Sequence, residues 1–299
     1  MFKSLTLLKS NITAIKDGDF QYLQFSPCEG MQEKALGWVP PRGHEHGAMV
    51  EFVGGEAILR LRIETKTVPA AVIRRKLDEK AEQILETTGR KPGKKERREL
   101  SEDIRAALMP NAFSKVVEIP VWVDTHRGRI AIGSASVGHV DSVLTMLIQA
   151  MPGASFTQFT SQVSPEALMT SWLHDQDNLS TEDRFGFDID RECELKANDE
   201  TKAVVKYTKH SLDLAEIEQH IKHGKTVTKL ALTYNDRVSF VLTPTGQMRK
   251  IKVLDVVFEE GGNAAHDDNF DADVAIFTGE FDKLINSLHA AIDVQEEEL

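Results

Sequence analysis

At 299 residues, 41% of them apolar and 28% charged, the chain has the composition of a folded protein with one large or two ordinary domains. No apolar run approaches the ~18–20 residues needed to span a bilayer, and the opening MFKSLTLLKSNIT is too polar for a signal segment, so a cytoplasmic protein without a membrane partner is expected. A formal charge of −11, spread evenly, would repel a polyanion.

In chain order, residues 2–15 read as a first strand, with Leu5, Leu7 and Ile12 among alternating polar residues. A turn-rich passage follows, in which Val39 and Pro40 each precede a proline and are held extended. Runs 48–53 and 56–67 read as a hairpin across Gly54-Gly55. Pro69 suits a first helical position, and Val72, Ile73, Leu77, Ile84 and Leu85 form a helical stripe stopped at Gly89. The linker RKPGKK leads to a second helix, ERRELSEDIRAALM, ended by Pro110. Strands VVEIPVWVD and RIAIGSAS flank His126-Arg127-Gly128, and VDSVLTMLIQAM reads as a packed helix. A strand near 155–160, a helix from Pro165 to His174 and strands near 187–195 and 202–207 come next. Asp213 and Glu216 have capping-box spacing at the head of a helix that closes at Gly224. Three strand-like runs follow, joined by Asn235-Asp236 and Pro244-Thr245-Gly246, and then a loop EEGGNAAHDDNFDAD, a strand VAIF and a helix FDKLINSLHAAI. The fold class is α+β, mostly antiparallel, with no βαβ run bearing a Gly-rich phosphate loop. The expected division is 1–68 with 116–160, a basic helical hairpin over 69–115, and a second α+β region over 161–299. Cys28 and Cys193, far apart and without CxxC spacing, read as two reduced thiols.

The charge is sorted along the chain. Residues 202–252 hold 10 lysines and arginines against 4 acids, whereas 151–201 hold 3 against 11 and 253–299 hold 1 against 13. A second basic block, 60–115, holds 15 against 9. Strand alternation across the three runs after Gly224 puts Lys225 and Lys229 on one side and Thr226, Thr228, Leu230 and Leu232 on the other. In the third run Ile251, Val253 and Val257 share a face opposite Lys250 and Lys252. The expectation is a meander with one apolar face and one lysine face that carries almost no acid. Taken singly, each lysine is an ordinary solvated side chain. Taken as a face they favour phosphate contact.

Several words, in order, resemble the RdgC family of bacterial recombination-associated proteins: Gly37-Trp38-Val39-Pro40-Pro41, Leu108-Met109-Pro110 with Ala112-Phe113-Ser114, and Trp122-Val123-Asp124-Thr125. To these are added His220-Ile221, Gly224-Lys225, the run Val227 to Leu232, and Phe270-Asp271-Ala272-Asp273 followed by Thr278-Gly279-Glu280. The resemblance implies a ring-shaped homodimer whose basic hole accepts duplex DNA without sequence preference, in the nucleoid, and which restrains a RecA-type recombinase. It implies that Lys225 and Lys229 face the hole and that the region of Phe113 helps close the ring. Taken alone, Phe113 reads more simply as a core anchor. The DNA-contact set expected is Lys225, Lys229, Lys250 and Lys252 on the meander, with Lys76, Arg90, Lys91, Lys94, Lys95, Arg97 and Arg98 on the helical hairpin, whose basic tip could equally be a solubilising end. Neither block carries interleaved exposed aromatics or a recognition-helix signature, which favours backbone contact over base readout.

Two other classes compete. A metal-dependent nuclease could use Glu64-Thr65-Lys66, an ExK word at a strand end, with carboxylates such as Asp267, Asp268, Asp271 and Asp273 holding Mg²⁺. That word is short, and the acidic loop lacks ordered ligand spacing. His44-Glu45-His46 has too few partners for zinc. A protein-interaction scaffold could use the same basic blocks on an acidic partner. The expectation is a non-enzymatic DNA-binding protein with no cofactor and no metal.

Overall fold

The computed structural model describes residues 2–159, 162–208, 214–260 and 270–293. The chain begins with β1 (Ser4–Ser10), two short 3₁₀ turns, β2 (Lys34–Val39), β3 (Glu51–Val53) and β4 (Glu56–Lys66). Helices α1 (Ala70–Thr88) and α2 (Lys94–Leu108) precede β5 (Ser114–Asp124), β6 (Arg129–Ile132), α3 (Val137–Ala150), β7 (Phe156–Thr157) and α4 (Pro165–His174). Then come β8 (Phe187–Ala197), β9 (Val204–Thr208), α5 (Leu214–Lys222), β10 (Lys225–Tyr234), β11 (Val238–Leu242), β12 (Met248–Val253), α6 (Asp255–Glu260) and α7 (Phe270–Asp293). The class is α+β with a large antiparallel sheet, as the alternation implied. Among the described residues no helix is long and apolar enough to cross a membrane.

The chain divides into two compact units. The larger comprises residues 1–16, 50–59 and 120–299. Its strands run in the order β5-β6-β1-β12-β11-β10-β8-β9, and one face of the β8–β12 part is sealed by helices. Val227, Leu230, Leu232, Phe240 and Met248 from the meander meet Leu168 and Trp172 of α4, Ile217 of α5 and Phe277, Phe281, Leu284 and Leu288 of α7. Phe277 stacks on Phe281 with ring centroids 4.0 Å apart. Burial of side chains this size stabilises by roughly 1.5–3 kcal/mol each, so α7 is the principal cover of the sheet. Asn235 and Asp236 turn β10 into β11 at φ 44° and 54°, the left-handed region that Asn and Asp tolerate best after Gly.

The smaller unit comprises 17–49 and 60–119. In it β2 pairs with the second half of β4, from Lys34 against Thr65 to Val39 against Arg60. Fully buried Trp38 receives the Phe20 ring edge-on at 5.3 Å. Gly37 has no substitute, because an added Cβ would sit 2.4 Å from the Phe25 backbone. Helices α1 and α2 pack on each other, and Gly89 closes α1 at φ 70° by donating to the Leu85 carbonyl.

Four local expectations are corrected. VAIF is not a strand but the second turn of α7, whose 24 residues bury Val274, Phe277, Phe281 and Leu284 at helical spacing. A four-residue apolar run cannot by itself distinguish the two periods. Val257 belongs to the short helix α6, not to the third strand of the meander. The first strand ends at Ser10, β6 ends at Ile132, and the strand near 155–160 shrinks to Phe156–Thr157. The fourth concerns the lysine face and is taken up below. Asp213, Asp267 and Asp268 lie outside the described residues.

Candidate nucleic-acid interface

Strict alternation fails in β10. Val227 stands opposite Leu195 on β8, but Lys229 stands opposite Glu194 and Leu230 opposite Cys193, so the register slips by one residue at Thr228. A β-bulge of this kind turns the side chains after it to the other face. Val227, Leu230 and Leu232 therefore all face the core, fully buried, while Lys229 points outward. Lys225, opposite Ala197, is on the side of Val227, and its ammonium lies 2.9 Å from His220 Nδ1. Lys225 and Lys229 do not share a face, which corrects the alternation reading.

The outward face is richer in both signs than the meander alone implied. Across three adjacent strands, Lys206 on β9, Glu194 on β8 and Lys229 on β10 stand directly opposite one another. Lys229 Nζ donates to Glu194 Oε2 at 2.8 Å, and Lys206 Nζ lies 3.2 Å from the same oxygen. Thr228 Oγ1 donates to Glu194 Oε1 at 3.0 Å. Partial burial acts to raise the Glu194 pKa, but the bonds from Lys229, Lys206 and Thr228 outweigh it and hold the carboxyl below its ordinary value. Lys250, at φ 53° beside a register irregularity between β11 and β12, reaches Glu192 at 2.6 Å. Lys252 is exposed, stands opposite Ser239 on β11, and has no ion pair with a described residue. The expected acid-poor face is thus corrected: β8 brings Glu192 and Glu194 beside the lysines.

Lys206 and Arg249 were not singled out from sequence. Arg249, exposed, is directly opposite Val241. Lys206 sits in VVKYT, whose alternation places it away from Val205 and Tyr207, a signal that was available.

In the smaller unit the basic residues of α1, α2 and the connection between them are largely engaged. Arg90 pairs with Glu96 at 2.8 Å, Arg97 with Asp78 at 2.8 Å, Arg98 with Glu102 at 3.0 Å and Lys95 with Glu99 at 3.9 Å. Lys91 and Lys94 are exposed without an ion pair to a described residue, and Lys76 is half-buried on α1. Such exposed pairs are worth at most ~1 kcal/mol and exchange readily for other anions.

Phe113 is 94% exposed, between the turn that ends α2 and the start of β5. It is not a core anchor of its own chain. An exposed phenylalanine gains no burial energy within its own chain.

Among the described residues, those weighed for metal chemistry do not converge. Glu64 is buried, and its Oε2 accepts the Cys28 backbone N–H at 2.7 Å. That bond, together with one from the Ser114 side chain, lowers its pKa. His44, Glu45 and His46 lie in an exposed loop, and Asp271 and Asp273 open α7. Among the described residues no group of three His, Cys, Asp or Glu side chains could hold a metal ion. Cys28 and Cys193 are both free and buried, and burial pushes the Cys193 thiol up to about 12.

The family model described as "Putative exonuclease, RdgC" matches residues 8–295. The chain is 37% identical to the Recombination-associated protein RdgC of Cupriavidus necator over 270 residues, covering 90% of this chain and 88% of that one. It is 35% identical to the protein of the same name from Bordetella pertussis over 298 residues, covering 96% of each. With the Dechloromonas aromatica protein of that name the identity is 36%, over 90% of this chain and 88% of the other. These matches run through both compact units, and on them the chain belongs to the RdgC family of recombination-associated proteins.

Proposed function

We propose that the protein binds duplex DNA without sequence preference, as a homodimer that closes around the DNA, and that it restrains a RecA-type recombinase on the DNA it covers. The observation that carries this reading is the outward sheet face, where Lys206, Lys229, Arg249, Lys250 and Lys252 come from three strands onto one surface. Ammonium and guanidinium groups spread over a sheet face suit contact with phosphates, and affinity from such contacts is electrostatic and indifferent to sequence. The fully exposed Phe113 supports an apolar contact between two copies, which ring closure requires. The basic side chains of α1, α2 and their connection, Lys91 and Lys94 above all, supply further phosphate contacts. Membership of a recombination-associated family supports DNA as the partner and the nucleoid as the place. A closed ring would obstruct recombinase nucleation on the covered stretch.

The family description names an exonuclease, so DNA cleavage is the second reading. In this chain the ExK glutamate is committed to the Cys28 backbone, which favours binding over cleavage. Titration of a labelled duplex at several salt concentrations, with and without Mg²⁺, separates the two. Salt-steep binding of an intact duplex supports the proposal, and shortening of the strand on adding Mg²⁺ supports the second reading.

A further inference from the structure

Resting on the duplex-binding reading, we infer that Glu194, with Glu192, is a built-in counterion that occupies the phosphate-binding lysines of the free protein and sets its affinity for DNA. The geometry is specific. Glu194 lies under the ammonium groups of both Lys206 and Lys229, its side chain 15% exposed where theirs are 64% and 36% exposed. One carboxylate thus anchors two lysines on neighbouring strands and remains the deeper partner, while both cations keep an open side toward solvent. Glu192 repeats the arrangement with Lys250, 31% exposed against 63%. The phosphate of a duplex arriving at this face meets lysines already half neutralised, and must share them with a carboxylate fixed in the sheet.

The consequence is thermodynamic. A lysine neutralised by a fixed carboxylate contributes less counterion release when it meets phosphate, so the free protein binds with a shallower salt dependence than its lysine count implies. The device keeps affinity low enough for a ring to move along or leave its DNA, and it holds the lysines in a defined array before DNA arrives. Replacing Glu194 by Gln keeps the shape and removes the charge: the amide oxygen can still accept from the lysines, while the amide NH2 donates to Thr228 Oγ1 in place of the bond Glu194 accepts from it.

The test compares the unmodified protein, Glu194→Gln, Glu192→Gln and the control Glu182→Gln by anisotropy of a labelled duplex over a salt series. Glu182 is exposed on the same unit and makes no ion pair with a described residue, so it changes net charge equally without touching a lysine. Glu194→Gln should tighten binding about eightfold near 0.1 M salt and steepen the slope of log K against log salt by about 0.9, one phosphate equivalent. Glu192→Gln should act in the same direction, and Glu182→Gln should leave the slope unchanged. Adding Lys229→Gln to Glu194→Gln should abolish most of the gain. Equal effects of Glu194→Gln and Glu182→Gln, or no effect of Glu194→Gln while Lys229→Glu still weakens binding, would overturn the counterion role and leave the duplex-binding reading standing. Failure of the unmodified protein to bind duplex at any salt would overturn both.

Discussion

Lys229 Nζ donates to Glu194 Oε2 at 2.8 Å, and the two residues are direct cross-strand partners on β10 and β8. Glu194 comes from the acidic segment 151–201 and Lys229 from the basic segment 202–252. Charges sorted along the chain are therefore interleaved in space, and the same contact explains both why the face is orderly and why its positive field is moderated. Opposite charges placed directly across a sheet contribute about 0.2–1 kcal/mol each, enough to fix side-chain positions but not to carry the fold.

The bulge at Thr228 separates the two lysines that alternation would have grouped. Lys229→Glu should weaken binding to every duplex alike, by at least tenfold, because it removes a cation and leaves two carboxylates beside each other. Lys225→Glu, on the opposite side of the strand next to His220, should weaken it much less. Competition titrations with duplexes of unrelated sequence check both points. Equal losses from the two substitutions would show that the bulge does not partition them.

Phe113→Asp should give monomers in sedimentation velocity with unchanged far-UV circular dichroism. Any fall in Tm should be no more than the lost dimer accounts for, which shows as a parent Tm that rises with protein concentration and a variant Tm that does not. The residue is 94% exposed and supports no packing within its own chain. A variant that still sediments as the parent does would remove Phe113 from the interface.

Arg237, at the turn between β10 and β11, holds Glu280 of α7 through two bonds, Nε to Oε2 at 2.8 Å and Nη2 to Oε1 at 3.1 Å. Glu280 is buried, and Arg237 is about a quarter exposed. Glu280→Gln should cost about 2 kcal/mol, below the 3–5 expected for a fully buried pair. Burial acts to raise the Glu280 pKa, but the Arg237 and Lys283 charges win and hold it below the ordinary 4.5. A depressed carboxylate contributes its stability above that ordinary value and loses it as pH falls through the lower folded value. The gap in urea midpoint between parent and Glu280→Gln should be full at neutral pH and shrink on acidification. A gap independent of pH would assign the effect to packing instead.

Much of the fold was legible because its signals were local. Gly54-Gly55, Pro165 and Asn235-Asp236 each carry backbone preferences that hold whatever the tertiary context, and the elements they delimit are present. VAIF misled because four apolar residues satisfy both periods, and only the packing of Phe277 and Phe281 against the sheet decides. The lysine face was half legible. Which strands carry the cations could be read, but which strand lies beside them could not, because β8 joins β10 only through a pairing set by the whole core. Neither the bulge nor Glu194 announces itself in a string of residues. Phe113 is the converse case, since an aromatic in a polar setting reads as core until the structure leaves it uncovered.

The proposed function depends on contact between the outward sheet face and the DNA backbone. Anisotropy of a labelled duplex titrated with the protein across a salt series, with and without Mg²⁺, tests it most directly. Binding should be equal for unrelated sequences, fall steeply with salt by about 0.9 in slope per phosphate neutralised, and leave the duplex intact when Mg²⁺ is present. Absence of binding even at low salt, or strand cleavage on adding Mg²⁺, would contradict it.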